Sequence, residues 1–298
     1  MSKKAVLVSM VLGALALSAL ITRAESQISG PQAETSQVAG AQAMRLLEAI
    51  RLEDILGMMR QEGIAHGPEM AADLFGGEDS AGGNAAGWSA EIGRIYDTAA
   101  MRADFEARFA QELRAEAATV EAGLAFFGSD LGRRIVGLEI GARATLMDET
   151  AKRAAEGVFA QLATADPARS AQLDRYVARN DLVESNVTGA LNANLAFLRG
   201  LTASGPLAQE MPEEQMLADV WGQEATIRRD TVDWLFPFLA LAYQPLSDAE
   251  LEQYIAFSET TAGKHLNAAF FAAFDAMFIS IYTELGRAAA LQLAGQDI

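Results

Sequence analysis

The chain has 298 residues with 23 Lys and Arg against 40 Asp and Glu, a formal charge of −17, no cysteine and 51% apolar residues. So acidic a surface repels phosphate backbones and anionic lipid headgroups, which argues against nucleic-acid and membrane-surface binding. The absence of cysteine excludes thiol catalysis, thiolate metal sites and disulfides, so stability has to come from an apolar core.

Residues 1–24 have the form of a cleavable secretory signal. Lys3 and Lys4 precede an uninterrupted apolar and small run over Ala5–Ile21, and Thr22-Arg23-Ala24 supplies small residues where a signal peptidase cuts. Cleavage removes three basic residues and no acid, taking the charge from −17 to −20. The expected location is the periplasm of a Gram-negative bacterium. The alternative is an inner-membrane anchor formed by residues 5–21, at the short limit for a bilayer span. No later stretch is expected to cross a membrane.

Residues 25–37 form a polar leader, and the spacing of Met44, Leu47, Leu52, Ile55, Leu56 and Met59 predicts one helix from Val38 to Arg60. His66-Gly67-Pro68 is expected in a loop, as is the glycine-rich stretch Gly76–Gly87. Helices are predicted over Trp88–Met101, Arg102–Ala118, Gly132–Leu162 and from Asp166-Pro167 to about Arg199, with a break at Gly200–Pro206. Pro212-Glu213-Glu214 opens another helix. Pro237 is expected to end or kink the apolar run Trp234–Leu241. Ser247-Asp248-Ala249-Glu250 is a capping box, and a last helix from Gly263 to about Leu293 carries Leu266, Phe270, Phe274, Phe278 and Tyr282 at every fourth position. No alternating run bounded by turns occurs, so the fold class is all-α.

One stretch occurs twice. Val120–Ile135 and Leu251–Leu266 align at a constant offset without a gap, and nine of the sixteen positions are like pairs. Among them Phe126 pairs with Phe257, Ser129 with Thr260, Gly132 with Gly263 and Arg133 with Lys264. The fold is therefore expected to be a helical bundle of two degenerate repeats, residues 25–165 and 166–298, each with a helix–corner–helix motif. In each corner the phenylalanine ends one helix, the Ser or Thr caps the next, and the glycine lets the helices approach closely. Cations in the first turn oppose the helix dipole, so Arg133, Arg134 and Lys264 either pair with nearby acids or help receive an anion. Phe126, Ser129, Gly132, Arg133, Phe257, Thr260, Gly263 and Lys264 are the candidate binding residues.

The run Phe126-Phe127-Gly128-Ser129-Asp130-Leu131-Gly132-Arg133-Arg134 resembles the signature of domain of unknown function 2059, a family of exported bacterial helical proteins. The C-terminal copy, Leu246–Lys264, is similar to it as well. It departs in having Ser258 where an aromatic is usual and Thr261 where proline is common, a position held by Asp130 in the first copy. The resemblance covers a minority of each copy and is faint elsewhere. It implies a periplasmic α-helical protein and brings no established activity with it.

Recognised catalytic patterns are missing. The only two histidines, His66 and His265, lie far apart, and no nucleophile elbow, dinucleotide fingerprint or P-loop occurs. No catalytic residue, metal ligand or cofactor is assigned. The expected role is non-enzymatic: binding of a partner protein or apolar ligand in the cell envelope, with oligomeric state open. The rival is a carboxylate-based hydrolase with its site between the two units. Convergence of Asp and Glu in a cavity would favour the enzyme, and an aromatic groove would favour binding.

Overall fold

Helix caps set much of the architecture. In the computed structural model, which describes residues 32–75, 81–203 and 211–296, thirteen α-helices and no strands occur among the described residues. The signal, most of the leader, Gly76–Ser80 and the end of the Gly200–Pro206 break lie outside them.

The first half comprises α1 (Gln32–Ala49), α2 (Leu52–Phe75), α3 (Ala81–Ile95), α4 (Thr98–Glu112), α5 (Ala117–Phe127), α6 (Asp130–Thr145) and α7 (Glu149–Ala165). The second comprises α8 (Pro167–Arg179), α9 (Leu182–Thr202), α10 (Glu213–Trp221), α11 (Glu224–Tyr243), α12 (Asp248–Glu259) and α13 (Thr261–Gln296). The chain passes from α7 to α8 at Asp166, whose carboxylate accepts from the Arg169 amide at 3.0 Å, with Pro167 in the first turn.

Three predicted helices are each two. The Val38–Arg60 helix breaks at Arg51, which adopts φ 58°, and the Asp166–Arg199 helix breaks at Asp181, with φ 47°. Each residue stands in the left-handed region, which an Asp tolerates and an Arg seldom adopts. The Gly132–Leu162 helix stops at Leu146, and Asp148 caps the next by accepting from Thr150 N and Ala151 N at 2.9 and 2.8 Å. The boundary expected near Met101 lies instead at Asp97, which accepts from Ala99 N and Ala100 N at 3.1 and 3.0 Å.

Two expected loops are helical. Ala81–Gly87 belongs to α3, and His66-Gly67-Pro68 lies inside α2. The α2–α3 contact overrides the local breakers: Gly63 and Gly67 leave room for the Tyr96 ring and the Ile92 side chain, and the buried Trp88 indole donates to Gly67 O at 3.1 Å. Helix α11 likewise runs through the buried Pro237 without ending.

The core runs through the described residues, from Leu46 on α1 and Ile50 just after it to Leu285 and Ala289 on α13. Helix α13 is its spine and packs on α9, α4 and α5. Gly200 and Gly286 face each other at the α9–α13 crossing so closely that a Cβ on either would fall on the opposite backbone. By length and apolar composition α13 could cross a bilayer, against the sequence expectation, but 56% of its apolar window lies inside the protein. It is built as a core helix. The two halves also exchange helices, since α13 packs against α4 while α6 packs against α11.

Candidate functional site

The two corners place the sequence-selected residues first. Ser129 and Thr260 have the same extended backbone, φ −74° and ψ 166° against φ −67° and ψ 158°. The Ser129 hydroxyl accepts from Gly132 N at 3.0 Å and donates to Phe126 O at 2.6 Å; that of Thr260 accepts from Gly263 N at 2.9 Å and donates to Phe257 O at 2.7 Å. A Cβ on Gly132 would collide with Phe126 O, and one on Gly263 with Phe257 O. The corners then meet. Phe126 and Phe257 stack face to face with ring centroids 4.1 Å apart and planes 6° from parallel.

Longer arms cross between the corners. Arg134 reaches Glu250 at 2.5 Å and Pro245 O at 2.6 Å, beside the start of α12. His265 holds the same position in the other corner and reaches Glu116, the cap residue of α5, at 3.0 Å. The arms start at matching positions but end on different ones, since Glu250 corresponds at the corner offset to Thr119 and Glu116 to Ser247. Arg133 pairs with Asp130 at 2.5 Å and donates to Gly128 O within its own corner, while Lys264 is exposed. The phenylalanines of the two corners therefore bind one another, and in each corner the hydroxyl already occupies one of the first-turn amides.

About two helical turns beyond Gly132 of the first corner, α6 carries Glu139 into the core. Its Oε1 accepts from Tyr243 OH at 2.6 Å and from Tyr254 OH at 3.3 Å, and Tyr243 OH lies 3.4 Å from Tyr176 OH. The second carboxyl oxygen is buried with no hydrogen-bond partner. Burial pushes the carboxyl up to about 7, against the opposing pull of the two tyrosine hydroxyls. The tyrosines are raised well above the usual phenol range, by burial first and by Glu139 second.

Two clefts open elsewhere, one on each side of Met59 and Phe278, which line both. The charged one, about 400 Å³, has the nearly buried Glu62–Arg143 pair in its wall, with bonds of 2.6 and 2.8 Å. The Arg143 guanidinium lies 5.9 Å from the centre of the Trp234 ring. His66 also lines this cleft, its Nδ1 2.8 Å from Glu62 O.

The other cleft, about 440 Å³, lies along α9 and α13. Helix α13 supplies an apolar floor of Phe271, Ala272, Phe274, Phe278 and Ile279, interrupted by Asp275. Helix α9 supplies Ser185, Thr188 and Asn192, one turn apart along a single face, with Asp181 just before its start. Asn192 Nδ2 donates to the Asp275 carboxylate at 3.0 and 3.3 Å. Burial pushes the Asp275 carboxyl above its ordinary range, with the Asn192 bond and the Arg108 charge opposing it. Among the described residues no three His, Asp or Glu side chains come together to hold a metal ion.

Neither Glu139 nor Asp275 stands among the sequence-selected residues, yet each carries a signal. Glu139 continues the buried register of Ile135, and Asp275 is the only charged residue in the eighteen from Leu266 to Thr283. A lone acid on an apolar helical face marks a group that needs a partner. Comparison with known protein families, with curated proteins and with solved structures returns no match.

Proposed function

We propose that this chain is a non-enzymatic binding protein of the cell envelope that takes a small, largely apolar molecule in the α9–α13 cleft. The observation that carries this is the cleft's make-up: a predominantly apolar, aromatic floor with a few polar groups along one wall, within the usual size range of small-molecule sites. Asp181, Glu184 and Asp275 line it too, but Glu184 is paired with Arg228 and, among the described residues, no three acids come together as a metal set. Residues 1–24 deliver the protein to the periplasm, and the resemblance of the corner to domain of unknown function 2059 agrees with that placement.

The body that carries the cleft consists of two copies of one ancestral unit, residues 25–165 and 166–298. Helix starts support this. Ala117 and Asp130, which open α5 and α6, correspond at the corner offset to Asp248 and Thr261, which open α12 and α13. Leu52, which opens α2, falls one position short of that offset from Leu182, which opens α9. The left-handed residues Arg51 and Asp181 stand at the matching junctions. The matching hydroxyl–glycine corners support it further. The copies exchange helices, so they make one body rather than two abutting halves.

The experiment is binding of N-phenyl-1-naphthylamine, which fluoresces in apolar surroundings. The wild-type chain is expected to bind it, and Ala272→Trp, which fills the cleft from the half-buried face of α13, should weaken binding at least about tenfold, or about 1.4 kcal/mol. Equal binding by a folded Ala272→Trp variant would remove the cleft as the site.

A further inference from the structure

We infer that the α9–α13 cleft selects a cationic amphiphile, a molecule with an amine or quaternary ammonium on an apolar body. The inference rests on the cleft being the ligand site and adds the chemistry of the ligand. Its centre is Asp275. This side chain is half-buried in the cleft wall, and its one hydrogen-bond donor among the described residues is the neutral Asn192 amide. Within the described residues no Arg, Lys or His forms an ion pair with it. A carboxylate held partly out of water beside an apolar floor gains most from a ligand that brings the missing positive charge.

The other charges at the cleft point the same way. Arg108 on α4 lines it, but its guanidinium is engaged by Glu112 at 2.6 Å and reaches Asp275 only through longer-range attraction. Glu184 on α9 is matched by Arg228, which donates to it at 2.8 Å. Asp181 has no ion pair among the described residues, and burial followed by the Glu184 charge raises its carboxyl. With those two pairs set aside, two carboxylates remain without a matching cation. The rings of Phe271, Phe274 and Phe278 line the same space, and aromatic faces attract ammonium groups. An anionic amphiphile meets repulsion from the two uncompensated acids and only one cation, Arg108, which is already ion-paired with Glu112 though its buried Nε has no hydrogen-bond partner; a neutral one leaves Asp275 without a counter-charge.

The test is calorimetric titration of the full chain with dodecyltrimethylammonium and with dodecyl sulfate, both below their micellar concentrations. The cation is expected to bind at least about tenfold more tightly. Asp275→Asn should erase that preference. Attraction by the overall negative charge would survive this substitution, so an unchanged preference in Asp275→Asn overturns the inference. Equal binding of the two amphiphiles by the wild type overturns it too. Failure of the wild type to bind either amphiphile or the naphthylamine overturns the binding proposal itself. A second measurement covers misfolding of the variant: the quaternary ammonium keeps its charge at all pH values, so acidification that protonates Asp275 should weaken its binding and spare the naphthylamine. Parallel pH profiles for the two probes would again overturn the assignment.

Discussion

The corner between α5 and α6 and the corner between α12 and α13 match at the turn and differ one helical turn away. At the turn both use a hydroxyl, a glycine amide and a phenylalanine carbonyl, with hydroxyl-to-amide distances of 3.0 and 2.9 Å. At the same offset, however, Gly123 corresponds to Tyr254, Phe127 to Ser258 and Glu139 to Phe270. Gly123 admits the side chains of Leu266 and Leu46, and Phe270 stacks on Phe109 at 4.9 Å. On the other side Tyr254 turns its hydroxyl to Glu139, and Ser258 accepts from Asn180 Nδ2 at 3.1 Å. The side where α5 meets α13 is apolar, and the side where α6 meets α12 carries a buried polar network, so each corner has one helix in each. A turn specified by three local groups leaves its surroundings free to diverge, and the divergence here leaves one side dependent on pH.

The largest effect expected tests the shared part. Gly132→Ala and Gly263→Ala each force a Cβ onto a carbonyl oxygen of the preceding helix, and backbone cannot move aside as a side chain can. Each should cost about 3 kcal/mol or more in urea denaturation, and the two should be alike despite their different surroundings. Gly141→Ala is the control. This glycine lies within α6 with nothing near its would-be Cβ, so the change should stabilise by about 0.5–1 kcal/mol. A near-neutral Gly132→Ala beside a damaging Gly263→Ala would break the equivalence of the corners.

The next prediction sharpens the difference. Glu139 has a folded pKa of about 7 against an ordinary 4.5, so the folded chain holds a proton between those values that the unfolded chain has released. Its contribution to stability is fully present below about pH 4.5 and is lost as the pH rises through 7. The loss approaches about 3 kcal/mol by pH 8. Glu139→Gln stays neutral throughout, so the decline in its urea midpoint from pH 5 to pH 8 should be much smaller than that of wild type. The paired surface acids Glu184, Glu213, Glu250 and Glu252 have lowered pKa values and stay ionised across that window, which removes them from the comparison. Parallel slopes for wild type and variant would show that Glu139 is ionised when folded.

How much of this can be read from the amino-acid order depends on how local the cause is. The Ser247–Glu250 capping box, the Asp166-Pro167 start and both hydroxyl–glycine corners are fixed by residues three apart, and the structure has all of them. The Asp148 cap is equally local but is masked by the long apolar pattern around it. The junction at Arg51 has no local signal, because arginine does not favour a left-handed backbone. His66-Gly67-Pro68 and Pro237 mislead for the opposite reason: the local breakers are real, but packing against Tyr96, Ile92 and the core outweighs them. Glu139 and Asp275 show the same limit at the site. Helical period places each acid on a buried or half-buried face, whereas Tyr243, Tyr254 and Asn192 come from segments at least 83 residues away.

The smallest effect concerns the arms that cross between the corners. Arg134–Glu250 and His265–Glu116 start from matching positions, and both lie in solvent, with side chains 44% and 32% exposed in the first and 43% and 38% in the second. Exposed pairs gain little over hydration, and each immobilises flexible side chains. Arg134→Ala and His265→Ala should therefore shift the urea midpoint far less than either glycine substitution. Any shift should fade in about 1 M salt, where charges are screened within a few ångströms. Arg134 should be the more sensitive position, because it also donates to Pro245 O at 2.6 Å. If Arg134→Ala proved as damaging as Gly132→Ala, the two corners would be held by their charged arms rather than by the glycine contacts and the stacked phenylalanines, an electrostatic clasp instead of a packed one.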